Sequence, residues 1–225
     1  MLLITQPDHA ALAGRLMERW TTRGLAEHER RDSILHAIRE HDNGWRDVDA
    51  APMVGPGGEL LDFVSAPIDV RQAIWPRGAR RLAADPIAAA LVAEHALYIY
   101  RRFLDDAAWS EFFREMALIR DDFAAGADLA ADDLVRDYFF LRIADLASLA
   151  FCAGWTEAQQ LEDHTLRLVD DTTIVIHPDP FEGASMSFEV PARRLPASAF
   201  ASVEQAARAF HQAPVGTIAG TARGR

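Results

Sequence analysis

The sequence predicts a mainly α fold, a helical bundle carrying a small antiparallel β element near the C-terminus. Apolar residues recur at helical spacing from Leu12 to about Ala153, as on the buried stripe of packed helices. Gly126 and Gly154 punctuate the later helical stretches. Beyond Gly154 the period shortens, and β-branched residues alternate with polar ones.

The first helix is signalled by Thr5 as N-cap, Pro7 in the first turn and Asp8 three residues after the cap. Leu12, Ala13, Leu16 and Trp20 continue it to Gly24. A second helix is predicted from about Leu25 to Glu40, ending at His41-Asp42-Asn43-Gly44-Trp45, where Asn43 and Gly44 suit left-handed backbone. Residues 49–81 carry Pro52, Pro56, Pro67 and Pro76 and the run Gly55-Pro56-Gly57-Gly58, and read as a long loop with one short helix at most. Loops of that length in a compact domain are commonly functional. Helices then follow over about Pro86–Phe103, Ala107–Phe123 and Ala131–Ala153, and strands over Thr165–Val169, Thr172–His177 and Ser185–Val190. A short helix near Val203–Phe210 and a frayed end complete the chain. The expected organisation is a helical core over 1–155, a β-rich appendage packed on it over 156–215, and a flexible tail over 216–225.

A chain of 225 residues, half of them hydrophobic, can bury a core without disulfides, and its single cysteine, Cys152, permits no internal bridge. Cys152 reads as a small buried hydrophobe. No basic leader precedes an apolar stretch, and no run of about 18 apolar residues occurs, so cytoplasmic residence and no membrane partner are expected. A net charge of −11 repels phosphate backbones and argues against nucleic acid. It leaves room for a small phosphorylated substrate, because a metal reverses the sign locally.

The informative feature is the placement of ionisable groups on apolar stripes. His9 shares a helix face with Leu12, Ala13 and Leu16; His41 continues the stripe of Ile34 and Ile38. His95 sits with Leu91, Val92 and Tyr98, and Asp145 with Leu134, Tyr138 and Leu141. A buried carboxylate is costly unless paired or coordinated, and imidazoles with carboxylates make a nest for a divalent cation. Each residue alone has a structural alternative: His95 as a hydrogen-bonded core histidine, Asp145 paired with Arg142 or Arg101, Asp42 as a turn cap. As a set, His9, His41, Asp42, His95 and Asp145 are the candidate metal ligands. Mixed His/Asp ligation suits iron, manganese, zinc or nickel better than calcium.

The order of these residues, a His, then His-Asp at a helix end, a further His, and an Asp in a late helix, resembles the HD-domain superfamily. That resemblance implies an HD-like helical metal-binding fold and metal-dependent phosphohydrolase chemistry, with His9, His41, Asp42 and Asp145 matching its ligands and His95 an additional one. Thr5-Gln6-Pro7-Asp8-His9 together with His41-Asp42-Asn43-Gly44-Trp45 is similar, more closely, to an uncharacterised bacterial family known as a domain of unknown function. The cyclic-dinucleotide branch of the HD superfamily has Ile-Gly-Lys after its His-Asp, where this chain has Asn43-Gly44-Trp45, so that substrate is not expected.

Three functions stay open on this evidence. The leading one is a metal-dependent hydrolase of a small phosphorylated or otherwise anionic compound. In it Asp42 orients the nucleophile, and Arg142, Arg71 or Arg77 holds anionic oxygens, against surface solvation or carboxylate pairing for all three. Gln6 and Trp45 are candidate substrate contacts, against an exposed amide and core packing. The rival is a non-catalytic metal- or ligand-binding protein; the third is di-iron oxygenase-type chemistry. His28, His36, His164, His177 and His211 lack a converging context and are expected at the surface.

Overall fold

Thr5 caps the first helix as its sequence context predicts, its hydroxyl oxygen accepting from the Asp8 amide. A computed structural model describes residues 1–196 and 199–225. In chain order the elements are β1 (Leu2–Leu3), α1 (Gln6–Glu18), α2 (Arg31–Glu40), the single turn α3 (Arg46–Asp49), α4 (Ile68–Arg81), α5 (Pro86–Tyr100), α6 (Ser110–Gly126) and α7 (Ala131–Cys152). They are followed by β2 (Gln159–Leu161), β3 (His164–Asp170), β4 (Thr173–His177), β5 (Ser185–Arg194), α8 (Val203–Gln212) and β6 (Val215–Gly224).

The fold class differs from the expected mainly α, HD-like bundle. The chain is mixed α/β, roughly half helical, with a six-stranded sheet that forms a half-barrel. The strand order is β1-β5-β6-β4-β3-β2. It is a mixed sheet rather than a small antiparallel one, because β6 runs parallel to β4 and antiparallel to β5. The physical reason lies at the two ends of the chain. Leu2 and Leu3 pair with Arg194 and Arg193, and residues 215–224, which read as a frayed end, form an interior strand. A Cβ at Gly220 would overlap the rings of Phe151 and Phe188, so glycine there serves close packing rather than chain breaking.

Helix α5 is buried on every side, since Ala88 through Ala93 are inaccessible to solvent. Its alanines allow close approach, and α2, α4, α6 and α7 all pack on it. Helix α7 is the wall shared by the two layers, touching α1, α2 and α5 on one side and β2, β3 and β4 on the other. Buried Asp137 of α7 receives Arg30 Nε at 2.6 Å and lies 3.2 Å from His28 Nε2, which fixes the start of α2 against α7. Helix α4, where a long loop was expected, runs fourteen residues through Pro76. Among the described residues no helix is long and apolar enough to cross a membrane. His164 also departs from expectation: it is buried, with its ring stacked on Trp20 at 5.6 Å.

Candidate metal centre

Four helices deliver the candidate ligands to one point. His9 comes from the second turn of α1, His95 from the middle of α5, and Asp145 from the middle of α7. His41 and Asp42 follow directly on the last residue of α2. The imidazoles are 1–3% exposed and Asp42 is 6% exposed. Ring centroids of His9 and His41 lie 5.0 Å apart, and those of His41 and His95 5.2 Å apart, each pair nearly perpendicular.

The donor atoms all face inward. His9 Nε2 is 2.7 Å from Asp42 Oδ2 and 4.0 Å from Asp145 Oδ1. His41 Nε2 is 3.5 Å from Asp42 Oδ2 and 3.4 Å from Asp145 Oδ1, and His95 Nε2 is 3.8 Å from Asp145 Oδ2. Ligands about 2.1 Å from a common ion stand roughly 3.0 Å apart at a right angle, about 3.4 Å apart at the tetrahedral angle and about 4.2 Å apart across the ion. Four of these five separations fall within that span, and the His9–Asp42 pair, at 2.7 Å, is closer.

The outer nitrogen of each ring is held by the protein, which sets the inner one. His41 Nδ1–H donates to the Ile38 carbonyl at 2.8 Å, so Nε2 is the nitrogen left to take up either a proton or a cation. That atom is buried and makes no hydrogen bond among the described residues. The Ser148 hydroxyl oxygen lies 2.9 Å from both the Asp145 carbonyl and His9 Nδ1, and a hydroxyl that donates to that carbonyl accepts from His9 Nδ1–H. The lone pair of His9 Nε2 then meets the Asp42 carboxylate. Two acceptors that close repel unless a proton or a cation stands between them. His95 Nδ1 pairs with the Tyr138 hydroxyl at 3.0 Å, and the Trp75 ring covers its imidazole at 5.7 Å. Ser148, Tyr138 and the Ile38 carbonyl, none of them marked by the sequence pattern, thus orient the three rings as second-layer partners do in metal sites.

Charge on these groups follows their neighbours. Burial resists a charge on His41, but Asp42 and Asp145 outweigh it and raise the imidazole to about 9. Burial takes His95 down to about 4. Burial pushes Asp145 up, and the surrounding imidazoles, His41 foremost, pull it down to about 2. The donor set fits a divalent cation: His9, His41 and Asp42 form one triad of compatible atoms, and His41, His95 and Asp145 another. Both triads use His41, whose only free nitrogen can serve one ion. One ion within a shared five-donor set is the economical arrangement.

A cleft of about 380 Å³ reaches this centre from the His9 side. Gln6, Trp45 and Asp49 line it with His9, and Met53, Leu61 and Phe63 form its apolar wall. Trp45 is both core and wall, being 3% exposed. The Gln6 backbone N–H donates to Asp49 Oδ2 at 2.7 Å. Asp49 was not legible in the sequence, because only the turn of α3 brings it to the cleft. Burial, with Asp42 and Asp8 nearby, raises its carboxyl to about 7, although the Gln6 backbone N–H opposes this. Cys152 lies half-buried on the same wall, and burial pushes its thiol up to about 12.

The three candidate arginines lie elsewhere. Arg142 donates to the Tyr98 hydroxyl at 2.7 Å and stacks on that ring. Arg77 donates to the Gly44 carbonyl at 2.9 Å, and Arg71 lies 5.5 Å from the Trp109 ring. Arg142 still bears on the centre indirectly, since Tyr98 packs on Tyr138, the partner of His95. In place of left-handed backbone, Gly44 forms part of a tight turn over Asn43–Trp45. A Cβ there would overlap the Ile74 carbonyl oxygen, so glycine is what lets this turn lie against α4.

The model of one protein family, described as Protein of unknown function (DUF3891), matches residues 1–197, which include the whole candidate centre. No curated protein and no solved structure matches the chain.

Proposed function

We propose that this chain, which belongs to the DUF3891 family, is a divalent-metal-dependent hydrolase of a small molecule that enters by the cleft beside His9. The observation that carries the reading is the convergence of four buried donors and the partly buried Asp145 around the hydrogen-bond-free Nε2 of His41. Leaving that buried nitrogen unpaired costs on the order of 1–3 kcal/mol. A cation offsets that cost.

His9, His41 and His95 would bind the ion through their Nε2 atoms, with Asp42 and Asp145 balancing its charge. When bound, a divalent cation supplies Lewis-acid activation of the scissile group and of a water nucleophile. Ser148, Tyr138 and the Ile38 carbonyl keep the rings turned inward, so little reorganisation accompanies binding. Trp45 and the apolar wall of Met53, Leu61 and Phe63 limit bulk water around the reacting group. The ligand chemistry suits iron, manganese, zinc or nickel.

A second reading, a bound metal with no turnover, is favoured by the low exposure of the three imidazoles. Elemental analysis of the purified chain, followed by a screen of esters, amides and phosphoesters with and without chelator, separates the two. Metal together with chelator-sensitive turnover is expected. Metal without turnover selects the second reading, and no metal after reconstitution defeats both.

A further inference from the structure

Once two carboxylates, Asp42 and Asp145, have balanced a divalent ion, the centre carries no net charge to attract an anion. The chain contains no lysine and no arginine lines the cleft; Met1 does line it, with its ammonium donating to the Leu195 carbonyl at 2.8 Å. The charged side chains that do line it, besides His9, are Asp49 and Asp62. One oxygen of Asp49 accepts from the Gln6 backbone N–H, and Oδ1 has no partner among the described residues. The remaining wall is apolar, formed by residues such as Val48, Met53, Leu60, Leu61 and Phe63.

We propose that the ligand of this cleft is a small, largely apolar molecule bearing a protonated amine, received by Asp49 Oδ1 while the apolar body lies against Met53, Leu61 and Phe63. Asp49 is then the specificity-determining residue of the site. This rests on the hydrolase reading for the neutrality of the metal centre, and it replaces the anionic substrate expected from sequence. Two further observations support it. Asp49 is a half-buried carboxylate near other acids, a placement that an incoming cation relieves. The net charge of −11 steers cations towards the surface and anions away.

The test compares two probes that share one body, 2-phenylethylamine and 2-phenylethyl phosphate. Each is titrated calorimetrically at neutral pH into the full chain, both zinc-loaded and chelator-stripped. The amine is expected to bind at least about tenfold more tightly than the phosphate, with Asp49→Asn losing about that factor and Asp49→Glu keeping most of it. Tighter binding of the phosphate, binding of neither probe, or an amine affinity unchanged in Asp49→Asn would overturn the proposal. Should Asp49→Asn fail to fold, the wild-type comparison and Asp49→Glu decide. Failure to take up zinc sinks the hydrolase reading alone, because amine preference is still read in the stripped chain.

Discussion

His9 Nε2 and Asp42 Oδ2 lie 2.7 Å apart, joining the second turn of α1 to the residue that follows the α2 cap. His41, beside Asp42, is the only ligand common to both donor triads. His41→Ala should therefore abolish stoichiometric metal binding, whereas His95→Ala, which leaves the triad of His9, His41 and Asp42 intact, should weaken it and retain a measurable site. Metal content after dialysis, with equilibrium titration, checks this. Equal loss in the two variants would count against a single shared ion.

Ser148 touches no metal, yet its hydroxyl sets which nitrogen of His9 carries the proton. Ser148→Ala should lower metal affinity by roughly 10–100-fold, the usual cost of losing such a partner. The melting temperature of the metal-free protein should change far less. Unchanged affinity would mean that the His9 tautomer is fixed by something else.

Asp49 gives the metal-free protein a pH signature of definite sign. Its carboxyl is raised from 3.8 to about 7, so between those values the folded chain holds a proton that the unfolded chain releases. Stability is thus lost as pH rises through that window and levels off above it. Asp49→Asn cannot charge. The stability of the variant relative to wild type should grow by on the order of 2 kcal/mol from pH 4 to pH 7.5, after allowance for solvent screening. Denaturant titrations of the stripped proteins at several pH values read the difference, and a flat difference would show Asp49 to be ordinarily acidic.

Gly44 tests the close approach of the turn after His41 to α4. Because the Ile74 carbonyl is backbone and cannot swing aside, Gly44→Ala should cost about 2–4 kcal/mol and displace the His41–Asp42 pair. Loss of metal affinity alongside the lower stability would fit. A neutral substitution would mean that the turn has slack.

Much of the centre was legible in the sequence because helical spacing is a local property. His9, His41, His95 and Asp145 betray themselves by lying on apolar stripes, whatever the helices later pack against. The cap at Thr5 is equally local. What escaped depends on partners distant along the chain. Pro67 and Pro76 disguised α4, although Pro67 sits at its cap and the packing around Pro76 tolerates it. Two residues of β1 carry no period at all, and Gly220 of β6 is glycine because aromatic rings of α7 and β5 press on it. Asp49 looked like any acidic turn residue until the cleft formed around it. The arginines were assigned by chemistry alone, and tyrosine rings or backbone carbonyls hold two of them away from the cleft.

The position of β6 constrains the order in which this chain can assemble. Its neighbours β4 and β5 both precede it and are not paired with each other, so each keeps a bare edge until residues 215–224 emerge from the ribosome. All four ligand-bearing segments lie upstream, within residues 9–145. The helical layer can therefore bring its candidate ligands together while part of the sheet still waits, and during that interval the exposed edges are open to pairing with another nascent chain.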